Sequence, residues 1–487
     1  MAFISREFAI FFTIVAVGYF ALPKRVRWIW LLASSVYFYG IAEPLFLAQI
    51  IAAAVATYYF GLQIQLAPDP VRKRSLLTIG VCLLVGNLAV FKYTGFLSES
   101  LRGVFAWLGL SYPVPSISIL LPIGISFYTF LLIGYLVDVF RGSQAERHLG
   151  LFSLYVLFFP KLIAGPIERT KNLLQQLHTP PDFKYEQAVF GLQLILWGVF
   201  KKAVVADRIA PHVDAVYSAP HAADGVTLTL ATFMYAFQLY CDFSGYTDIA
   251  LGAAAFLGFS LVRNFDRPYM ATSIQDFWKR WHISLTSWLT DYVYTPLTRQ
   301  RRFKIKFYTM MLAGLFVTFV VSGIWHGAQW TFVIWGMLHG SYIVTSLLLQ
   351  KQRSAFVRAI GLTKYPTLHR AVKIAATFLL VCFAYIWFRA NSVADAIYIT
   401  TNLHTGWTAP LPGIKELVGP NQPSFLLALL GIAVVIAADI LQGHWDKVRA
   451  LLSTRSWLRW GLYYSGATAI LVLGVLHTDQ PFLYFRF

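Results

Sequence analysis

Charge is what this chain has least of. Lys, Arg, Asp and Glu together make up 13% of its 487 residues, about half of the roughly 25% usual in a soluble globular protein. That excludes a soluble multidomain protein. Acidic residues are the scarcer sign, 22 against 40 basic ones, for a net charge of +18. Such a balance would suit a nucleic acid, but the Lys and Arg sit in short segments between apolar runs, with no basic stripe interleaved with aromatics. Anionic lipid and the positive charge of cytoplasmic loops account for that placement, and nucleic acid is not expected as a partner. Cysteine is nearly absent: Cys82, Cys241 and Cys382 are scattered in or beside apolar segments, without metal-ligand spacing. Neither a disulfide framework nor a metal site is expected from them. There is no G-x-S-x-G elbow, H-E-x-x-H helix or Walker A loop, so serine hydrolase, zincin and nucleotide hydrolase readings have no support.

What is present is apolar. Hydrophobic residues make up 57% of the chain and the mean hydropathy is +0.60. Apolar runs of about 18 residues recur from end to end, the signature of membrane-spanning helices. The expected fold is an all-α polytopic membrane protein. The predicted spans are Phe8–Leu22, Trp28–Ile41, Pro44–Gln65, Ser75–Tyr93, Ile117–Val139 and Ala188–Phe200, the last ending at Lys201–Lys202. They continue with two short passes within Val226–Phe256, split at C-D-F-S-G-Y-T-D, then Phe307–Ile324, Trp330–Leu349, Ala375–Phe388, Phe425–Leu441 and Leu462–Leu476. That is roughly a dozen membrane segments. The first run ends in Lys24, Arg25 and Arg27 and lacks a clear small-residue cleavage site, so it is expected to be a retained span. Basic clusters at Lys24–Arg27 and Arg72–Arg74 place the N-terminus outside. Pro122 and Gly124 interrupt their span, and Leu151–Ala164 is too short for a simple crossing, which suggests a re-entrant or interfacial piece. No internal repeat of the secondary-transporter kind is visible.

One segment is different. Along Ser273–Tyr294, Phe277, Trp281, Leu285, Trp288 and Tyr292 recur at helical spacing, with Lys279, Arg280 and Ser284 on other faces. This predicts an amphipathic helix in the interface or plugging a cavity, started by a Ser273–Asp276 capping box.

The chemistry centres on Ser322–Gly340, S-G-I-W-H-G-A-Q-W-T-F-V-I-W-G-M-L-H-G, where His326 and His339 lie among apolar residues. An imidazole at membrane depth costs desolvation energy, so its default reading is functional. The plainer account is a hydrogen bond to a neighbouring helix. Trp325, Trp330 and Trp335 could wall a cavity. Basic runs Arg299–Lys306 and Lys351–Lys373 flank this helical pair on the cytoplasmic side, placing His326 near its outward end and His339 nearer the middle. A neutral imidazole, with a pKa of about 6.5 or lower, makes a general base for an acceptor hydroxyl. His282 reads either as a second polar group at the cytoplasmic end of a tunnel or as an interfacial histidine. Lys279 and Arg280 could meet donor phosphates or lipid head groups. Asp242 and Asp248 could orient an imidazole or hold a helix N-terminus. The tail Phe482–Phe487, F-L-Y-F-R-F, reads as an aromatic belt with a snorkelling Arg486, or as carrying an acylated nucleophile, Tyr484.

Several stretches together resemble the membrane-bound O-acyltransferase superfamily, in its bacterial alginate O-acetyltransferase branch. They are L-P-I-G-I-S-F-Y-T-F, F-P-K-L-I-A-G-P-I, Y-C-D-F-S-G-Y-T-D-I-A, N-F-x-R-P-Y, F-W-K-R-W-H-I-S-L and the His326 stretch, in order from Leu121 to Gly340. The resemblance implies a ring of tilted, broken helices around a thin core with a tunnel. It implies a single domain over 1–487, with N-terminal spans to 116, a catalytic core over 117–349, and C-terminal spans with an aromatic tail over 350–487. It implies His326 as the catalytic histidine and His282 as the second characteristic one, and gives His339 no catalytic role. It further implies acetyl-CoA as cytosolic donor with no bound cofactor, a bacterial inner-membrane location, an exopolysaccharide acceptor and a periplasmic esterase-like transferase as partner. Tyr484 would hold the acyl group between the two proteins. Peptidoglycan acetylation, D-alanyl transfer, a transporter and a secretion scaffold are the competing readings.

Overall fold

The computed structural model describes residues 3–115, 119–163, 165–299, 307–408, 415, 417–419, 422–443, 454–475 and 482–483. Among these, every regular element is a helix. Seven described helices are long and apolar enough to cross a membrane: Leu47–Leu66, Pro70–Trp107, Tyr185–Ser218, Phe307–His326, Trp330–Leu348, Pro366–Arg389 and Gln422–Gln442. The protein is a multi-pass, all-α membrane protein. Its chain divides into two compact units, Met1–Ile195 with Thr247–Arg263, and Leu196–Tyr246 with Asn264–Phe487.

The first unit begins with α1 (Arg6–Ala21), α2 (Lys24–Ala42) and α3 (Leu47–Leu66). Ser5 starts α1 by accepting the Phe8 N–H at 3.2 Å, one of the donors a helix start leaves open. α4 (Pro70–Trp107) is 38 residues long, well beyond the expected Ser75–Tyr93. Asp69 caps it through the Arg72 N–H at 2.8 Å, and Pro70 suits a first helical position, where no N–H is needed. α5 (Ile125–Phe140) starts later than the expected Ile117, because Gly124 takes a left-handed conformation with φ of 80°. The short stretch after it folds as α6 (Leu149–Leu157) and α7 (Phe159–Leu162), broken at Phe158, with a further short helix, α8 (Leu173–His178). Glu168 ties this region together by accepting from Asn172 Nδ2 at 2.7 Å and from the Val262 N–H.

Two expectations are corrected in the helices that follow. α9 (Tyr185–Ser218) does not stop at Lys201–Lys202 but widens into a π-helical turn over Phe200–Ala206 and continues. Both lysines are buried. Lys201 Nζ donates to Ser244 Oγ at 2.8 Å, and Lys202 Nζ binds Asp207 Oδ1 at 2.7 Å and Asp242 Oδ1 at 2.6 Å. Two carboxylates let the helix carry the Lys202 ammonium inward, past the point where the span was expected to end. α10 (Gly225–Phe256) is one unbroken helix, not two short passes. Its polar residues need no break, since Asp242 and Ser244 are satisfied by those lysines. A Cβ on Gly245 would stand 2.8 Å from the Gly198 carbonyl, so this glycine permits the close approach that makes the pairing possible.

The amphipathic segment is also corrected. It is not one interfacial helix but α11 (Ile274–Trp278), a turn, α12 (Ile283–Leu289), a π-helical stretch over Thr290–Tyr294 and α13 (Thr295–Arg299). Its apolar residues Phe277, Trp281, Leu285 and Trp288 are buried. The expected cap is present, with Ser273 Oγ accepting the Asp276 N–H at 3.1 Å. Then come α14 (Phe307–His326) and α15 (Trp330–Leu348), which pack as a tight hairpin. A Cβ on Gly323 would strike the Phe332 carbonyl, and one on Gly336 the Phe319 carbonyl. The second unit ends with α16 (Gln350–Ala359), α17 (Pro366–Arg389), α18 (Val393–Asn402), α19 (Gln422–Gln442) and α20 (Ser456–Leu473). The basic residues 301–306 lie outside the described residues.

Candidate active site

His326 is the last residue of α14, and only 3% of it is exposed. His282 is fully buried at the turn into α12, in a left-handed conformation with φ of 44°. For a residue with a Cβ that conformation costs on the order of 1–3 kcal/mol and is held only by surroundings that demand it. Asn264 supplies part of that demand. Its carbonyl accepts the Ile283 N–H at 2.9 Å, and its side-chain Oδ1 accepts from the Ser284 N–H at 3.2 Å and Ser284 Oγ at 2.9 Å. The first donors of α12 are thereby satisfied from outside the helix, and the chain can turn sharply at His282.

These two imidazoles, 44 positions apart in sequence, come together with ring centroids 6.5 Å apart. Trp325 packs against both, at 4.9 Å from His326 and 6.0 Å from His282. Trp335 of α15 meets His326 edge-on at 4.9 Å, and Phe388 of α17 lies 5.4 Å away. Phe243 of α10 covers His282 at 4.7 Å. Burial pushes the His282 imidazole down to about 3, so it is neutral at physiological pH. His282 is thus a neighbour of His326.

His339 lies in the middle of α15, fully buried, and accepts a hydrogen bond from Trp278 Nε1 on Nδ1 at 3.2 Å. In a neutral ring this leaves the proton on Nε2. Ser322 Oγ, Thr331 Oγ1, Trp335 Nε1 and His339 Nε2 are buried and find no hydrogen-bond partner among the described residues. Buried polar atoms are ordinarily paired, so a concentration of such atoms on α14 and its hairpin partner α15 is what a site for a polar ligand looks like.

The model of the membrane-bound O-acyltransferase family matches residues 147–392, which contain both His282 and His326. The chain belongs to this family. It is an O-acyltransferase. The probable alginate O-acetylase of Pseudomonas putida is 34% identical over 510 residues, covering 100% of both chains. That of Azotobacter vinelandii is 36% identical over 445 residues, 89% of this chain and 84% of its own. The peptidoglycan O-acetyltransferase of Helicobacter pylori is 31% identical over 414 residues, 78% and 75% of the two chains.

The other residues singled out from this acyltransferase's sequence have partners or surroundings of their own. Lys279 is exposed. Arg280 binds Asp276 Oδ1 at 2.7 Å. Burial acts to raise the Asp276 pKa, but the Thr272 N–H and the Arg280 guanidinium outweigh it and hold the carboxyl below its ordinary value. Asp242 uses Oδ1 on Lys202 and Oδ2 on the Leu483 N–H, so it is not the group that orients an imidazole. Asp248, on the same helix, belongs to the other unit. Tyr484 lies outside the described residues. The motif N-F-x-R-P-Y gave Asn264 no role, and Asp207, Phe243 and Phe388 carried no signal in the sequence. A lone Asn or Phe has no signal of its own until the fold shows what it touches.

Proposed function

We propose that this acyltransferase takes acetyl from cytosolic acetyl-CoA and passes it across the bacterial inner membrane for O-acetylation of an alginate-like exopolysaccharide. A periplasmic esterase-like transferase completes the reaction on the polymer. The observation that carries the reading is the buried pair His282–His326, walled by Trp325 and Trp335, in a chain that aligns end to end with a probable alginate O-acetylase.

In this reading His326 removes the proton from an attacking hydroxyl, whose oxygen bonds to the thioester carbonyl carbon. The carbon–sulfur bond then breaks, and the proton passes from the imidazolium to the departing thiolate, leaving an ester and a free thiol. The attacking hydroxyl in the first transfer is the phenol of Tyr484; in the second, a hydroxyl from the far side bonds to the acetyl carbon, the bond to the Tyr484 oxygen breaks, and the hydroxyl's proton returns to that phenolate. His282, neutral and one ring away, lines the donor's path and orients the thioester. The aromatic walls exclude water, which would otherwise hydrolyse the donor.

Labelled acetyl-CoA tests this with the purified protein, the partner transferase and a polysaccharide acceptor. His326→Ala is expected to lower transfer by about 10²-fold or more, the usual worth of a general base, with the amount of folded protein unchanged. Transfer at the wild-type rate in that variant overturns the reading.

A further inference from the structure

The C-terminal segment is anchored at one buried place in the second unit. The Leu483 N–H donates to Asp242 Oδ2 at 3.0 Å. Phe482 stacks on Tyr246 with centroids 4.7 Å apart and planes at 29°, and Phe243 lies 5.8 Å from it. Both tail residues are buried. The other oxygen of Asp242 is held by Lys202, which also binds Asp207. One ammonium thus faces two carboxylates, and the cluster has more acceptor atoms than Lys202 can supply with protons. A buried carboxylate oxygen without a donor is costly, and a main-chain N–H from the tail fills that need at Asp242. One carboxylate would suffice to neutralise Lys202, so the second, Asp242, with its bond to the tail, is additional to that purpose.

Recognition at this place has two parts. A main-chain N–H is accepted at residue 483, and the ring of Phe482 packs on Tyr246. The surroundings link it to the chemistry. Phe243, which touches Phe482, is the same ring that covers His282 at 4.7 Å. One aromatic side chain therefore separates the anchored tail from the histidine pair.

We propose that Lys202, Asp207 and Asp242 are positioning residues that seat the C-terminal segment, so that the next residue in the chain, Tyr484, is delivered to acyl transfer. This rests on the reading of His326 and Tyr484 given above. None of the three touches the reacting groups.

Leu483→Pro deletes the N–H that Asp242 accepts without changing any charge, and Phe482→Ala removes the ring. In the full-length protein in lipid vesicles, two readouts are taken: release of C-terminal residues by a carboxypeptidase, and kcat and KM for acetyl-CoA. Both variants are expected to expose the tail to digestion and to lower kcat tenfold or more, with KM close to wild type and some loss of thermal stability from the unpaired Asp242 oxygen or the missing ring. A tail that stays protected in both overturns the seat whatever the rate. A freed tail with wild-type kcat overturns its positioning role. Tyr484→Phe keeps failure of the relay distinguishable: normal transfer with a protected tail refutes the acyl relay and with it the delivery, while digestion still reports the seat.

Discussion

Burial makes His282 a neutral base whose protonation opposes folding. Its folded-state pKa of about 3 lies below the ordinary value of about 6.5. Between those values the unfolded chain binds a proton that the folded one refuses. The contribution of this group to stability is therefore full above about pH 6.5 and declines as the pH falls toward 3. The Tm of His282→Gln in detergent is expected to fall less steeply than wild type across that window, and an equal slope would refute the assignment. At the same scale, Asn264→Ala removes the acceptor for the Ser284 N–H and Oγ. Loss of a cap costs about 1 kcal/mol, and the variant should lose acetyl transfer beyond that modest destabilisation, because the turn that aims His282 is loosened. A transfer rate equal to wild type would show that the turn holds without it. His326 could be singled out from its sequence because an imidazole between glycines and tryptophans in an apolar run is anomalous by itself. Asn264 could not, because its importance lies in which helix it caps.

Among elements, the α14–α15 hairpin carries the site and depends on close backbone approach. Gly323→Ala would force its Cβ into the Phe332 carbonyl. Backbone cannot yield as a side-chain tip can, so a cost of about 1–3 kcal/mol is expected, with transfer reduced because His326 stands one turn further along. Gly86 and Gly103 of α4 have open space where a Cβ would go, and alanine there is expected to stabilise by roughly 0.5–1 kcal/mol through its better helical propensity. Thermal unfolding of the three variants side by side checks both claims, and destabilisation by all three would sink the distinction. The hairpin was legible because two long apolar runs flank a short polar turn. The π-helical turn of α9 and the continuity of α10 were not. Lys201, Lys202 and Asp242 look like breaks when each is read alone, and become compatible with helix only once they face one another.

For the molecule as a whole, the expected outcome is directional transfer. In sealed vesicles holding the protein in one orientation, labelled acetyl-CoA added on the cytoplasmic side should give ester on an acceptor enclosed on the other side. Ester only on the side of addition would refute transfer across the membrane. The sequence by itself determined the solvent: with 13% charged residues and apolar runs throughout, the backbone must satisfy its hydrogen bonds internally, and helices follow. It also determined the family, because six motifs in order leave little freedom. Only the tertiary structure decided that His282 and His326 are neighbours, that Lys202 is a buried counter-ion and that Asp242 holds the tail. Those are relations between positions tens to hundreds of residues apart, and no local pattern of polarity encodes which buried charge meets which.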